Sequence, residues 1–299
     1  MMSPMSTGAR RGIAATVAAL VLLTSGCSWR LETDPDPFRT PSATTVMRDQ
    51  LAAAEQAVQA AAIASSGAVA DAEAALAPTR VAALGGVSPT SSPRPSADVD
   101  AAIAEALAQA EECSRAAEDT TLAGLCSSIA LSHHLVAFAA DPEPRGEPQV
   151  RTVDDSAGVL PSASTLVDDA FLAQVTLTHD RARAMYQTIA ARAAGEERTN
   201  ALARGRLHRE RVEQLLALGV EDLTELSYDV PAARVADAVA RATLARDTEW
   251  ALGEDYASVL VTAAAGDRAW LTNAAYDAYT AASPTPDDVP ALPGIAPVA

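Results

Sequence analysis

Apolar residues recur every three or four positions through most of this chain, and alanine, leucine and valine fill nearly all of those positions. Val46, Leu51, Ala54, Val58 and Ala61 make one such stripe, and Val99, Ile103, Leu107 and Ala110 make a second. Leu122, Leu125, Ile129, His133 and Val136 make a third, and Leu172, Val175, His179, Ala182, Tyr186 and Ile189 a fourth. This is the period of an α-helix with one buried face. Aromatics are only 4% of the residues, so the core must come from small aliphatic side chains, which suits closely packed helices. No stretch alternates convincingly enough to be a strand. The expected class is all-α.

Punctuation divides the helical segments. Residues 43–140 read as a smaller helical unit of three helices. The first runs over 43–77 and ends at Pro78, with Gly67 as its weak point. The second is capped by Ser96, and the third spans about 120–140. Residues 141–163 are rich in Pro, Gly and Asp and read as a linker. Four helices are expected over 164–283. The first has a capping box of Thr165 and Asp168, the second covers about 196–218, the third is opened by Asp229-Val230-Pro231 and runs to about Ala265, and the fourth spans 267–282. Residues 284–299 form a Pro-rich tail.

Cys113 and Cys126 lie at similar distances on either side of the turn near Glu118–Thr120. In an antiparallel helix pair they face each other, and a disulfide is expected, closing a short loop worth about 3 kcal/mol in the chain-entropy model.

The N-terminus carries a different signal. Arg10 and Arg11 precede an uncharged, mostly apolar run, Gly12–Leu23, and then Thr24-Ser25-Gly26-Cys27. Residues 1–26 have the layout of an export signal. The residues before Cys27 resemble the lipobox of bacterial lipoproteins, with threonine where leucine is usual three positions before the cysteine. That resemblance implies cleavage before Cys27 and diacylglycerol, palmitate-type, on its thiol. Residues 27–42, broken by Asp-Pro pairs and Pro41, would then tether a body held outside the cytoplasmic membrane. No other stretch is expected to span a bilayer.

Charge excludes one class of partner. The formal net charge is −17. Such a surface repels nucleic acid, so none is expected as a partner. All 22 basic residues are arginine, in the manner of GC-rich actinobacterial genomes.

Candidate chemistry is sparse. There is no Gly-rich phosphate loop, no Gly-x-Ser-x-Gly elbow and no His-Glu-x-x-His. His179 and Tyr186 share the apolar face of one helix, and His208 lies on a face with Ala201, Gly205, Val212 and Leu215. Reflection through the loop near Gly195 puts His208 opposite Arg183, about one turn from His179. Glu249 and Tyr256 share a face of the next helix. Two readings are open. In one, these are core residues that hydrogen-bond each other. In the other, His179, His208 and Glu249 hold a metal ion inside the bundle, as carboxylate and imidazole ligands do. His133 and His134 point in different directions, one to the core and one to the surface.

Residues 165–295 resemble actinobacterial ferritin-like domains of unknown function. The resemblance rests on LTHDRARAMYQTI (177–189), LHRERVEQLLALG (207–219), YDVP (228–231) and ALPG (291–294). It implies a ferritin-like four-helix bundle. The Glu-x-x-His pairs of di-iron proteins are missing, because Gly205 stands three before His208 and Thr176 three before His179.

The sequence therefore favours a non-catalytic, lipid-anchored ectodomain that binds an envelope protein or ligand, with no cofactor expected. A contact surface is expected around Trp250, Tyr256, Trp270, Tyr276 and Tyr279, where the late aromatics cluster. A metal-binding, oxidoreductase-like bundle is the rival.

Overall fold

The computed structural model describes residues 41–88, 98–140 and 158–296. The chain divides into two compact units, Met1–Ser42 and Ala43–Ala299. Nearly all of the first, including Cys27, lies outside the described residues, as does most of the expected linker. All the described helices belong to the second.

The described residues are all-helical, with no strand. The helices are α1 (Ala43–Ile63), α2 (Ala68–Ala83), α3 (Val99–Ala116), α4 (Thr120–Ala140), α5 (Asp169–Arg192), α6 (Gly195–Ala217), α7 (Ala238–Leu260) and α8 (Ala265–Ala281). Short 3-10 turns occupy Ala232–Val235 and Pro286–Asp288. Helix α1 packs on α2 and α3, α3 on α4, and α2 on α4. The second half repeats the plan, with α5 on α6, α7 on α8, and α5 on α7. Helix α4 joins the halves by packing against α8 and α7.

The first half holds four helices where the sequence suggested three. The break falls at Ala64–Gly67. Ser65 turns its hydroxyl back onto the Ala61 carbonyl, and Gly67 takes a φ of 120°, open to glycine and strained for other residues. Pro78, expected to end a helix, lies inside α2. Buried Ala77 and Arg80 hold the helix through it, so packing outweighs the lost backbone bond. The caps differ too. Asp98 caps α3 by accepting from Asp100 N, whereas Ser96 lies outside the described residues. Asp168 caps α5 by accepting from Ala170 N, while Thr165 donates instead to Asp267 Oδ1 at 2.6 Å. Pro231 leads only into the 3-10 turn, and α7 starts after its own cap, Asp237, which accepts from Ala240 N.

The two halves are not separate domains. One core runs through both and includes Ala72, Leu131 and Leu135 from the first with Leu172, Leu252, Leu271 and Tyr279 from the second. Helix α4 has the length and composition of a membrane span, contrary to expectation, but 83% of its apolar stretch is buried inside the fold, shared between this core and a second cluster around Cys113 and Cys126. Its partners explain its composition. Cys113 and Cys126 are joined, with Cα atoms 5.9 Å apart, as the hairpin geometry requires.

Alanine and glycine permit these close approaches. A Cβ on Gly124 of α4 would overlap the Val261 carbonyl at the end of α7. Gly124→Ala is therefore expected to destabilise the protein by about 1–3 kcal/mol, read as a lower melting temperature. An unchanged melt would mean that these two helices do not meet there. The Pro-rich segment is also no loose tail. Val289 is buried, and the carbonyls of Pro290 and Pro293 accept from Ser132 and Ser128 of α4, both at 2.7 Å.

Candidate functional site

Two clusters of charged side chains sit inside the bundle, one in each half. The cluster in the second half contains the residues singled out in the sequence. His179 and Tyr186 come from α5, His208 from α6, and Glu249 and Tyr256 from α7. His179 Nδ1 lies 2.9 Å from His208 Nδ1, and His179 Nε2 lies 2.7 Å from the Tyr256 hydroxyl. His208 Nε2 is 3.0 Å from Glu249 Oε1, which also accepts from the Tyr186 hydroxyl at 2.8 Å.

Three further members escaped sequence reasoning. Arg204 forks onto Glu249, Nε to Oε1 at 2.6 Å and Nη2 to Oε2 at 2.7 Å. The same Nη2 reaches Asp277 Oδ2 at 3.1 Å, and Arg211 Nη2 reaches that oxygen at 2.7 Å. The signal was available. Arg204, His208, Arg211 and Leu215 are spaced four, three and four, so they share the buried face of α6. A Cβ on Gly205 would meet the Tyr186 Cβ at 3.4 Å and the Arg183 carbonyl at 3.8 Å, ordinary packing distances that place this turn of α6 against α5. Gly205 thus lies between Tyr186 and Arg183 of α5, and His208 comes within 2.9 Å of His179 instead of standing about a turn away.

The protonation states follow from the bonding. Burial alone would raise the Glu249 carboxyl, but Arg204 and His208 hold it well below the usual carboxylate range. Glu249 is therefore an acceptor only, and His208 Nε2 must donate to it. Burial lowers both histidines below their ordinary value, and for His179 the neighbouring His208 and Arg211 push the same way. With both rings neutral, His208 Nδ1 accepts from His179 Nδ1, and His179 Nε2 accepts from Tyr256. The tautomers are assigned from this network. They form one directed line: Tyr256 to His179 to His208 to Glu249.

Both Glu249 oxygens accept from the Arg204 guanidinium, and the two imidazoles are bonded to each other. As arranged, His179, His208 and Glu249 form a hydrogen-bonded network, and a divalent ion held by them would have to displace Arg204.

The first-half cluster consists of Glu55 on α1, Glu73 and Arg80 on α2, and Ser132 and His133 on α4, all buried. His133 Nδ1 lies 2.9 Å from Glu73 Oε1, and Nε2 lies 2.8 Å from Glu55 Oε1. Two carboxylates on two ring nitrogens require both nitrogens to donate, so His133 is an imidazolium. Burial and Arg80 push its proton off, but the bonds to Glu55 and Glu73 outweigh them and its pKa is raised. Arg80 Nη1 bonds Glu73 Oε2 at 2.6 Å and Nη2 bonds Ser132 Oγ at 2.8 Å. Nη1 lies 3.1 and 3.2 Å from the two ring nitrogens, a packing contact, since both nitrogens already point at carboxylates. One residue type thus serves in two protonation states, set by environment. His134 takes the surface role, 3.3 Å from Glu111 Oε1.

No family model, no curated protein and no solved structure matches this chain.

The expected aromatic contact surface is absent among the described residues. Tyr256, Trp270 and Tyr279 are core, and Trp250 and Tyr276 are partly buried against it. Their rings pack edge-on, Trp250 on Tyr279 and Tyr256 on Trp270. In a core this poor in aromatics, the few large rings fill space that alanine cannot.

Proposed function

We propose that this chain is a lipid-anchored cell-envelope protein at the outer face of the cytoplasmic membrane. Its body is a non-catalytic, ferritin-like helical ectodomain that binds an envelope protein or ligand. The observation that carries this reading is the run Gly12–Leu23 followed by Thr24-Ser25-Gly26-Cys27. The Cys113–Cys126 bond supports it, since disulfides persist in oxidising compartments outside the cytoplasm. The pairing of α5 with α6 and α7 with α8 supports the ferritin-like description.

The test is metabolic labelling of the full chain with a palmitate analogue, followed by membrane fractionation. Wild type is expected in the membrane fraction with label. Cys27→Ser is expected to lose the label and leave the membrane, because stable attachment takes more than one acyl chain. Equal membrane retention of the unlabelled variant would sink the lipoprotein reading.

A further inference from the structure

The geometry points to Tyr256 as a redox-active residue that gives up an electron and a proton together, the proton leaving along His179 and His208. The supporting observation is a line of close polar contacts: Tyr256 Oη to His179 Nε2 at 2.7 Å, His179 Nδ1 to His208 Nδ1 at 2.9 Å, and His208 Nε2 to Glu249 Oε1 at 3.0 Å. The assigned tautomers make each group on the line donate to the next. A buried phenol without an acceptor can lose an electron only by becoming a radical cation in a low-dielectric core. A phenol bonded to a neutral imidazole avoids that charge, because its proton moves as the electron leaves.

The step balances. Tyr256 loses one electron to the oxidant, and its O–H bond breaks as the proton joins His179 Nε2. The Nδ1–H bond of His179 breaks in turn, and that proton joins His208 Nδ1. Tyr256 is left as a neutral phenoxyl radical, and His179 is neutral in its other tautomer. His208 becomes an imidazolium against the Glu249 carboxylate. The charges facing this line are Arg204 and Arg211 from α6, Glu249 and Asp255 from α7, and Asp277 from α8. The new positive charge on His208 arrives beside the Glu249 carboxylate.

Tyr256 also has an outward neighbour. Its ring centroid lies 6.1 Å from that of Trp270. The Trp270 indole N–H donates to Asp267 Oδ1 at 2.9 Å, and Asp267 Oδ2 accepts from the backbone of the exposed Leu166. Trp270 thus has its own proton acceptor and lies between Tyr256 and a surface segment. We take an organic peroxyl radical as the oxidant class: it accepts the electron and a solvent proton and leaves as a hydroperoxide. Tyr256 then holds one oxidising equivalent as its phenoxyl radical.

The experiment uses the full chain in detergent with photogenerated tris-bipyridyl ruthenium(III) as the one-electron oxidant. Transient absorption and electron paramagnetic resonance are the readouts. Wild type is expected to give a tyrosyl radical whose formation slows in D2O and whose spectrum shows an exchangeable hydrogen bond. Tyr256→Phe is expected to abolish it, and Tyr279→Phe to leave it intact. His179→Gln is expected to slow its formation by about a hundredfold, the usual contribution of a positioned proton acceptor. No tyrosyl radical in wild type, a radical that survives Tyr256→Phe, or no D2O effect would overturn the proposal. If Tyr256→Phe fails to fold, the slowing in His179→Gln decides it, since His179 bonds the Tyr256 hydroxyl and not those of Tyr186 or Tyr279; an unslowed radical there overturns the proposal.

Discussion

Replacing Arg204 with methionine is expected to lower the unfolding free energy by about 3–5 kcal/mol, the usual cost of leaving a buried charge without its partner. Arg204 covers both oxygens of Glu249 and shares Asp277 with Arg211, in a cluster that water does not reach. Methionine fills much of the volume but leaves Glu249 with only His208 and Tyr186 as donors. For a chain of this size the melting temperature is expected to fall by on the order of 10 °C. The pH dependence separates lost charge from lost packing. Without the guanidinium the Glu249 carboxyl titrates at higher pH, so acid neutralises it and the variant recovers part of its deficit as pH falls. Arg204→Met combined with Glu249→Gln is expected to recover part of it at neutral pH. A loss below about 1 kcal/mol at every pH would mean that the pair behaves as a solvent-screened surface bridge. Urea denaturation at a series of pH values measures all three.

Arg80→Leu is expected to be comparably severe, about 3–5 kcal/mol by the same reasoning. It leaves Glu55 and Glu73 buried with His133 as their one cation. It also removes the donors to Ser132 and to the Ala291 carbonyl at 3.4 Å. The strap near Pro290–Gly294 then loses one of its attachments, and protease cleavage within residues 286–296 is expected to rise. Unchanged cleavage would show that Ser128 and Ser132 alone hold the strap.

The wild-type cluster also has a pH window. The folded pKa of His133 is raised above its ordinary value near 6.5, so its stabilisation is complete below about 6.5 and fades as pH rises through the folded value. Burial would raise Glu73, but Arg80 and His133 outweigh it and the pKa is lowered. Its stabilisation is complete above about 4.5 and fades as pH falls through the folded value. The contribution from these two groups is therefore greatest between roughly pH 4.5 and 6.5. His133→Gln is expected to be less stable than wild type in that window, and the gap should narrow above it.

Much of this was legible from residue order. Stripes such as Leu172, Val175, His179, Ala182, Tyr186 and Ile189 specify helices and their buried faces, because a 3.6-residue period leaves one face apolar. The same stripes place His179, His208, Glu249 and Tyr256 toward the interior. Equal spacing about a turn is enough to pair Cys113 with Cys126. These are local inferences, and each needs only one helix or one hairpin.

Tertiary structure decided the rest. Whether Pro78 ends a helix depends on what Ala77 and Arg80 pack against, and whether Thr165 caps α5 depends on Asp267, over a hundred residues away. The pairing of Arg204 with Glu249 and Asp277, and of His133 with Glu55 and Glu73, joins helices whose relative rotation no periodicity specifies. Protonation went the same way. His133 is a cation and His179 is neutral, although both lie on apolar helical stripes. One meets two carboxylates and the other meets a tyrosine and a second histidine, and only the packing of helices distant in sequence determines which.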